Sequence, residues 1–302
     1  MDFTPLIKPF DKRPWSQYRM QMTKKFFRDQ FTISTWLALG ALCQATLFLL
    51  FGRLAFLPAL LLILYRTADT FLMAVGVKRN HELDGVILKK FSAQYPDTAG
   101  NFGNTPANQE IVVFLIGGRI NHPLGVLAPG ARDLGGYFGK MNKELELNAD
   151  KYGYLGASNW LSNGERSTTN ENLTVMYFRS IEHLHAFAVS PLHRAGWNWW
   201  NRFVVDHPHL SIWHEMYAAP AGRWESIYIN SHATLLAGAA FRSGGDGEGK
   251  GEERWVAPIV DASKGALRSS RGRLSGGAEG EGEGEWYGEK EGERARESLG
   301  RG

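Results

Sequence analysis

The sequence contains very little cysteine. Cys43 is the single cysteine among 302 residues, so an intramolecular disulfide is impossible and zinc frameworks built on cysteine are excluded. Such a composition is typical of a reducing compartment. The formal net charge is only +3, and this small excess gives no indication of nucleic-acid binding.

Glycine-rich phosphate motifs are also missing. The stretch at residues 117–125, "GGRINHPLG", contains closely spaced glycines but lacks the strand–GxGxxG–helix context, and no GxxxxGK[ST] sequence occurs. The sequence therefore predicts neither a dinucleotide site nor a nucleoside triphosphate site.

Long apolar runs dominate residues 1–79, a segment with a basic N-terminus. Residues 31–51 carry no charge and have about the ~20-residue length that crosses a bilayer. A second apolar run at 54–77 contains Arg66 and Asp69, which could pair on one helix face. This segment predicts one or two transmembrane helices.

Two membrane topologies are compatible with the flanking charges. Lysine and arginine residues lie on both sides of the apolar region, and the positive-inside rule then favours a hairpin with Gly52-Arg53 on the far side. The alternative is one span followed by an interfacial helix, with the globular part in the lumen. We expect a membrane protein of the endoplasmic reticulum whose globular domain is cytosolic.

The pattern after a linker at 80–110 predicts an α+β domain over 111–240. Helical spacing over residues 134–145 and serine N-caps at Ser180 and Ser190 predict the helices. Runs rich in β-branched and aromatic residues predict strands at 110–118, 154–162, 173–180, 210–217 and 223–230. The order β-α-β-β-α-β with an extra strand is typical of a ferredoxin-like fold.

Two further expectations follow from this order. Helices on one side of a four-stranded sheet leave the other face bare, so that face should meet a second copy or a ligand. The turn "APAG" should join the strands at 210–217 and 223–230 as a hairpin.

The C-terminal segment, 241–302, is rich in Gly, Glu and Arg and is predicted to be mostly disordered. Residues 255–273 are less repetitive. They could dock on the domain or form a solvated linker.

Several stretches together resemble a known family. They are "GGRINHPLGVLAPG", "YGYLGASNW", "MYFRSIEHLHAFA", "PLHRAGWNWW" and "HLSIWHEMY" with "GRWESIYIN". The chain resembles the fungal monooxygenases of secondary-metabolite clusters, which include the fumagillin polyketide monooxygenase and are related to the antibiotic-biosynthesis monooxygenases. The resemblance covers most of the chain up to about residue 273.

This resemblance implies a dimeric α+β barrel, and therefore a homodimer. It also implies oxidation of an apolar polyketide-type compound by O₂ without flavin, metal or haem. Two alternatives stay open. One is a haem-dependent dehydratase-like enzyme, because aldoxime dehydratases resemble this fold, and the other is a membrane-tethered binding or scaffold protein.

His214 lies beside Glu215 in the predicted strand at 210–217. Side chains alternate along a strand, so these two residues point to opposite faces and cannot bind one small ligand together. His214 has three interpretations: a buried histidine with a satisfied hydrogen bond, a proton-transfer group, or a haem or metal ligand.

The remaining candidates are grouped by role. The predicted catalytic groups are three candidate bases and one cation for a developing oxyanion: His122, His185, His214 and Arg179. The predicted substrate-binding groups would form an aromatic wall: Trp160, Tyr177, His193, Trp197, Trp200 and Tyr228. No metal ligands are predicted.

Overall fold

The computed structural model of the chain describes residues 1–14, 31–161, 171–244 and 254–274. Most of the predicted disordered tail lies outside these residues. The helices are α1 (Ile33–Phe51), α2 (Leu57–Ala74), α3 (Ala131–Leu147), α4 (Ile181–Ala188), α5 (Pro191–Phe203) and α6 (Ser270–Leu274). The strands are β1 (Val86–Ala93), β2 (Ile111–Ile120), β3 (Tyr154–Leu161), β4 (Glu171–Phe178), β5 (Leu210–Ala219), β6 (Tyr228–His232), β7 (Phe241–Ser243), β8 (Arg254–Val256) and β9 (Ile259–Asp261).

A four-stranded antiparallel sheet forms the centre of the domain, with strand order β3-β4-β2-β5. The strand β2 pairs with β4 on one side and β5 on the other. Its run of β-branched and aromatic residues suits a strand whose two faces are both covered. The predicted mixed α+β fold is therefore confirmed.

The helices on one face begin where the serines predict. Ser180 caps α4 by accepting a hydrogen bond from the backbone N–H of His183, and Ser190 caps α5 in the same way with Pro191 at the first helical position. Apolar side chains of the sheet and of the helices form one buried cluster between them, which includes Val112, Phe178, Leu145, Leu184 and Phe187.

The opposite face of the sheet is not bare, contrary to the expectation from the sequence. A second, three-stranded sheet with the order β6-β1-β9 packs over part of it. Fully buried Phe91 of β1 stacks on Tyr228 of β6, with 4.9 Å between ring centroids. The chain itself supplies this cover, so a second copy is not needed to bury this part of the face.

The second sheet also changes the predictions made for the linker and for the fifth strand. The expected linker at 80–110 contains β1, and the strand expected at 223–230 is replaced by β6, which begins later and ends two residues further along the chain. The strand β6 pairs with β1, so the predicted hairpin between the fourth and fifth strands is wrong. Pairing partners so distant in sequence leave no local signal.

The C-terminal segment docks on the domain over its described residues. The strand β9 pairs antiparallel with β1, and both Ile259 and Val260 are fully buried. Of the two alternatives for 255–273, the structure therefore shows the docked one.

The apolar N-terminal segment consists of α1, a 3₁₀ turn at Gly52–Phe56, and α2. Gly52 has a positive φ of 57°, and the side-chain amide of Gln44 donates to the carbonyl oxygen of Ala55 at 3.1 Å. The chain therefore reverses direction at this turn. Asp69 pairs with Lys78 rather than with the expected Arg66. The span Ile33–Ala74 is long and apolar enough to cross a membrane, by length and composition.

A close approach at Gly117 in β2 gives a stability prediction. A Cβ atom there would lie 2.3 Å from the carbonyl oxygen of Asn172 and 2.3 Å from the ring of Trp213. We expect Gly117→Ala to lower the free energy of unfolding by about 1–3 kcal/mol, because a packed interior resists added volume. Urea unfolding followed by circular dichroism measures this.

The matched control is Gly135→Ala in α3, where an added Cβ would meet nothing within 4 Å. Alanine is the better helix former by up to about 1 kcal/mol, so this variant should gain stability. Equal or higher stability of Gly117→Ala relative to the parent protein would contradict the packing described for β2.

Candidate functional site

Two imidazoles lie on the helix-covered side of the sheet. His193 lies in the first turn of α5, and its ring contacts Phe187 at 5.4 Å between centroids. His214 lies on the edge strand β5, and its ring contacts Phe114 at 5.3 Å. The two histidines are close enough for His214 to lower the pKa of His193. The site therefore joins residues that are far apart in the chain.

The local environment of His193 favours a neutral ring. Burial lowers its pKa, the backbone carbonyl of Ala188 opposes this by accepting a hydrogen bond from the ring, and His214 lowers it further. One ring nitrogen of neutral His193 therefore keeps its proton toward the carbonyl of Ala188. The other nitrogen then carries a lone pair that can accept a proton.

Exposed apolar side chains lie beside this pair. Trp197 follows His193 by one helical turn on α5 and is 57% exposed, while Ile212 and Met216 flank His214 on the same face of β5 and are 41% and 39% exposed. We call this surface the α5–β5 groove: His193, Trp197, Ile212, His214 and Met216. An exposed apolar patch with polar groups beside it can mark a ligand-binding surface.

The helix α5 is held in place by α3. The ring of Trp199 stacks on Tyr137 at 4.4 Å between centroids. A Cβ at Gly196 would lie 2.2 Å from the methyl group of Met141, so glycine permits the close approach of the two helices. Trp200, predicted to bind substrate, is half-buried beside Trp199.

Strand alternation separates His214 from Glu215, as predicted. His214 pairs with Ile116 of β2 and lies on the helix side. Glu215 lies on the other side, where it accepts a hydrogen bond from the hydroxyl of Tyr217 at 2.6 Å. The strand therefore presents only the imidazole to the α5–β5 groove.

His122 belongs to a different cluster at the end of β2. Its Nδ1 accepts a hydrogen bond from the backbone N–H of Leu124 at 3.1 Å, and its ring lies 5.0 Å from that of His209. His209 donates from Nε2 to the carbonyl of Pro129 at 2.9 Å, and His207 donates from Nδ1 to that of Phe203 at the same distance. These contacts hold the connecting turns in position.

The other predicted residues are not brought to the groove. His185 is exposed on α4, and Trp160 is exposed on β3, the opposite edge strand of the sheet. Arg179 lies over the ring of buried Phe241 at 5.5 Å, in the core on the other face. Tyr177 and Tyr228 pack in that same core, where burial raises the pKa of both phenols.

Comparison with known proteins identifies the family of this chain. A family model described as "Monooxygenase af470-like" matches residues 111–236. Monooxygenase af470 of Aspergillus fumigatus is 33% identical over 278 residues, which cover 89% of this chain and 96% of the relative. The chain belongs to the monooxygenase af470-like family. The resemblance to fungal monooxygenases is thereby confirmed, and the family assignment supports the predicted monooxygenase activity.

This family member is also similar, at low sequence identity, to several solved structures. An aldoxime dehydratase is 17% identical and covers 48% of this chain and 43% of its own, with a TM-score of 0.33. The aldoxime dehydratase OxdRE with butyraldoxime is 14% identical and covers 46% and 33%, with a TM-score of 0.29. Protein SO0527 from Shewanella oneidensis is 14% identical and covers 37% and 91%, with a TM-score of 0.25. Scores this low carry no argument about fold or chemistry.

The sequence predicts His193 as one of the aromatic substrate-binding residues and not as a base. In the structure its imidazole is half-buried and hydrogen-bonded toward the carbonyl of Ala188. The Ser190-Pro191 pair does indicate the position of His193, because it fixes where α5 begins. His193 therefore lies in the first turn of α5, close to the carbonyl of Ala188. The contact with His214 had no sequence signal, because it depends on how α5 lies against β5.

The lowered pKa of His193 predicts a pH-dependent stability. The unfolded chain takes up a proton near the ordinary histidine pKa of about 6.5, whereas the folded protein takes it up only at lower pH. Stability is therefore lost as the pH falls below the unfolded value. We expect urea midpoints to drop less between about pH 7.5 and about pH 5.5 in His193→Gln than in the parent protein.

The control for this measurement is His185→Gln, which removes an exposed imidazole from the neighbouring helix. It should keep the pH dependence of the parent protein. Identical pH profiles for His193→Gln and the parent would show that His193 does not have the lowered pKa.

Proposed function

We propose that this chain is a membrane-anchored monooxygenase that oxidises an apolar, electron-rich, polyketide-type compound with O₂ and without a cofactor, in the α5–β5 groove. The observation that carries the proposal is the oriented His193 imidazole beside an exposed apolar surface. Family membership supports the reaction class. The groove supports an apolar substrate.

The reaction begins with proton transfer. The free nitrogen of His193 takes a proton from an acidic C–H or phenolic O–H of the substrate, and the resulting anion passes one electron to O₂. Recombination of the radical pair forms a C–O bond, and the resulting peroxide anion takes the proton back from His193 to give a substrate hydroperoxide. Loss of water then leaves a carbonyl, so that RCH₂R′ and O₂ give RC(O)R′ and H₂O. All four electrons come from the substrate, and no external reductant is consumed.

His214 has a supporting role in this scheme. Its ring lies on Phe114 at the open side of the groove, where it can exchange protons with solvent. It can therefore exchange protons between solvent and the reacting groups during turnover. The exposed apolar side chains of the groove give an apolar substrate a surface on which to pack.

The ferredoxin-like architecture is also part of the proposal. The element order β2-α3-β3-β4-α4/α5-β5 and the strand order β3-β4-β2-β5 support it. For the dimeric barrel implied by the family, the exposed Trp160 and Tyr217 support contact with a second copy. They lie at the two edges of the face that β1, β6 and β9 leave partly open.

Membrane anchoring through α1 and α2 places the enzyme beside its substrate. An apolar polyketide partitions into lipid, so an enzyme held at the bilayer meets a higher local concentration. Basic residues on both sides of the apolar segment support a cytosolic domain at the endoplasmic reticulum.

Substitution of the base tests the reaction. We use anthrone, which has an acidic CH₂ flanked by aromatic rings, and follow O₂ consumption and anthraquinone formation. We expect His193→Gln to lower kcat by about 10²- to 10⁴-fold, the usual contribution of a general base. His214→Gln should have a smaller effect. The control His81→Gln, an exposed histidine before β1, should keep the parental rate.

The cofactor requirement is tested on the same purified protein. The proposal expects an absorption spectrum without a Soret band and an incorporation of one ¹⁸O atom from ¹⁸O₂ per product. A stoichiometric Soret band that shifts in His193→Gln or His214→Gln would replace the proposal with the haem-dependent alternative. Unchanged turnover in His193→Gln would remove His193 as the base.

Alkaline carbonate extraction tests the anchor. We expect the protein to stay in the membrane pellet, because α1 and α2 expose apolar side chains over most of their length. Recovery of the protein in the supernatant would contradict an integral anchor while leaving the proposed chemistry untouched.

A further inference from the structure

Residues 1–14, which precede the membrane segment, lie on the domain that follows it. We call them the N-terminal strap. The backbone N–H of Leu6 donates to the carbonyl of Ile259 at 2.9 Å, and that of Asp261 donates to the carbonyl of Thr4 at 2.9 Å. The strap therefore pairs with the edge of β9 that β1 does not use.

A second pairing extends the strap along the domain. Phe10 and Trp255 exchange backbone hydrogen bonds of 2.7 and 2.8 Å. A further bond runs from the N–H of Phe3 to the carbonyl of Gly103 at 3.0 Å. The strap thus contacts β8, β9 and the segment after β1.

Arg13 fixes the end of the strap. Its Nη1 pairs with Oε2 of Glu146 at 2.9 Å, and its Nη2 donates to the carbonyl of Leu155 at 3.1 Å. The guanidinium lies between the rings of Tyr154 and Trp255, at 5.2 and 5.3 Å from their centroids. Because both side chains of the ion pair are nearly buried, loss of either partner would leave an uncompensated charge.

The other end of the membrane segment is attached to the same layer. After α2, Arg79 pairs with Asp84, and His232 of β6 donates from Nε2 to the carbonyl of Asp84 at 3.0 Å. The chain then enters β1, which pairs with both β6 and β9. The strap and β1 therefore lie on the two edges of the same strand, β9.

We propose that α1 and α2 cross the bilayer as a hairpin, with the strap and the domain on one side and the turn Gly52–Phe56 on the other. This inference rests on the membrane anchoring of the proposed function. A single crossing would separate the strap from β9 by a hydrocarbon core of about 30 Å. The backbone bonds and the Arg13–Glu146 pair described above require both on one side.

The dimensions of the helices agree with two crossings. With 19 and 18 residues, α1 and α2 are about 29 Å and about 27 Å long at the usual helical rise. The turn between them carries the charged Arg53, which suits a head-group region. In this arrangement Arg53 reaches the far surface while Lys78 and Arg79 stay on the domain side.

Cysteine accessibility tests the topology in sealed microsomes. In a Cys43→Ser background, single variants Lys8→Cys in the strap, Lys264→Cys near the C-terminal end and Arg53→Cys in the turn all replace exposed residues. Each is treated with a charged, membrane-impermeant maleimide before and after permeabilisation. We expect Lys8→Cys and Lys264→Cys to share one labelling state and Arg53→Cys to have the opposite state.

The possible outcomes distinguish a failure of the hairpin topology from a failure of the membrane anchor. Opposite labelling states for Lys8→Cys and Lys264→Cys, with the protein retained after carbonate extraction, would overturn the hairpin alone. The same state at all three positions would show that no crossing occurs. Release by carbonate would contradict the anchor itself, and the hairpin with it.

A disulfide cross-link gives an independent measurement on the membrane-bound protein. Pro5 faces Val260 in an antiparallel bridge flanked by the two strap hydrogen bonds, and such a pair has a Cα separation that suits a disulfide. We expect Pro5→Cys/Val260→Cys in the Cys43→Ser background to form this bond upon mild oxidation, and each single variant to form none. Absence of the bond in the inserted double variant would overturn the hairpin.

Discussion

The pairing of β2 with strands on both of its edges is the constraint on which the domain depends. Antiparallel ladders with β4 and β5 fix which side chains of three strands share a face. Phe114 therefore lies beside His214 under the helices, while Val113 and Leu115 face the opposite core. A slip of one residue would exchange these sets, so the position of the imidazole depends on this register.

The two faces of the sheet then serve different purposes. One face packs against the layer built from β1, β6 and β9, and that layer also holds both ends of the membrane segment. The other face carries the helices and leaves the edge strand β5 partly open. In the proposed enzyme, the layer that holds the membrane segment and the groove with the candidate base therefore lie on opposite faces of one sheet. The central strand β2 contributes side chains to both faces.

The chemistry assigned to His193 depends on partial burial. A fully exposed imidazole would be neutral or charged according to solvent pH alone, and an unpaired buried one would be costly. At His193 the Ala188 carbonyl satisfies one nitrogen while burial keeps the ring neutral. The other nitrogen therefore keeps a lone pair near neutral pH, as the proposed reaction requires.

The sequence by itself determined the elements with strong local signals. Strand alternation separated His214 from Glu215, the serine caps placed α4 and α5, and uncharged apolar runs located the N-terminal helices. Only the tertiary structure decided what covers the second face, because the three residues of β9 and the strap are too short to show periodicity. It also decided which histidine is the candidate base, since burial and the neighbouring His214 depend on how α5 packs on α3 and β5. Contacts of that kind join residues remote in the chain, and no local pattern encodes them.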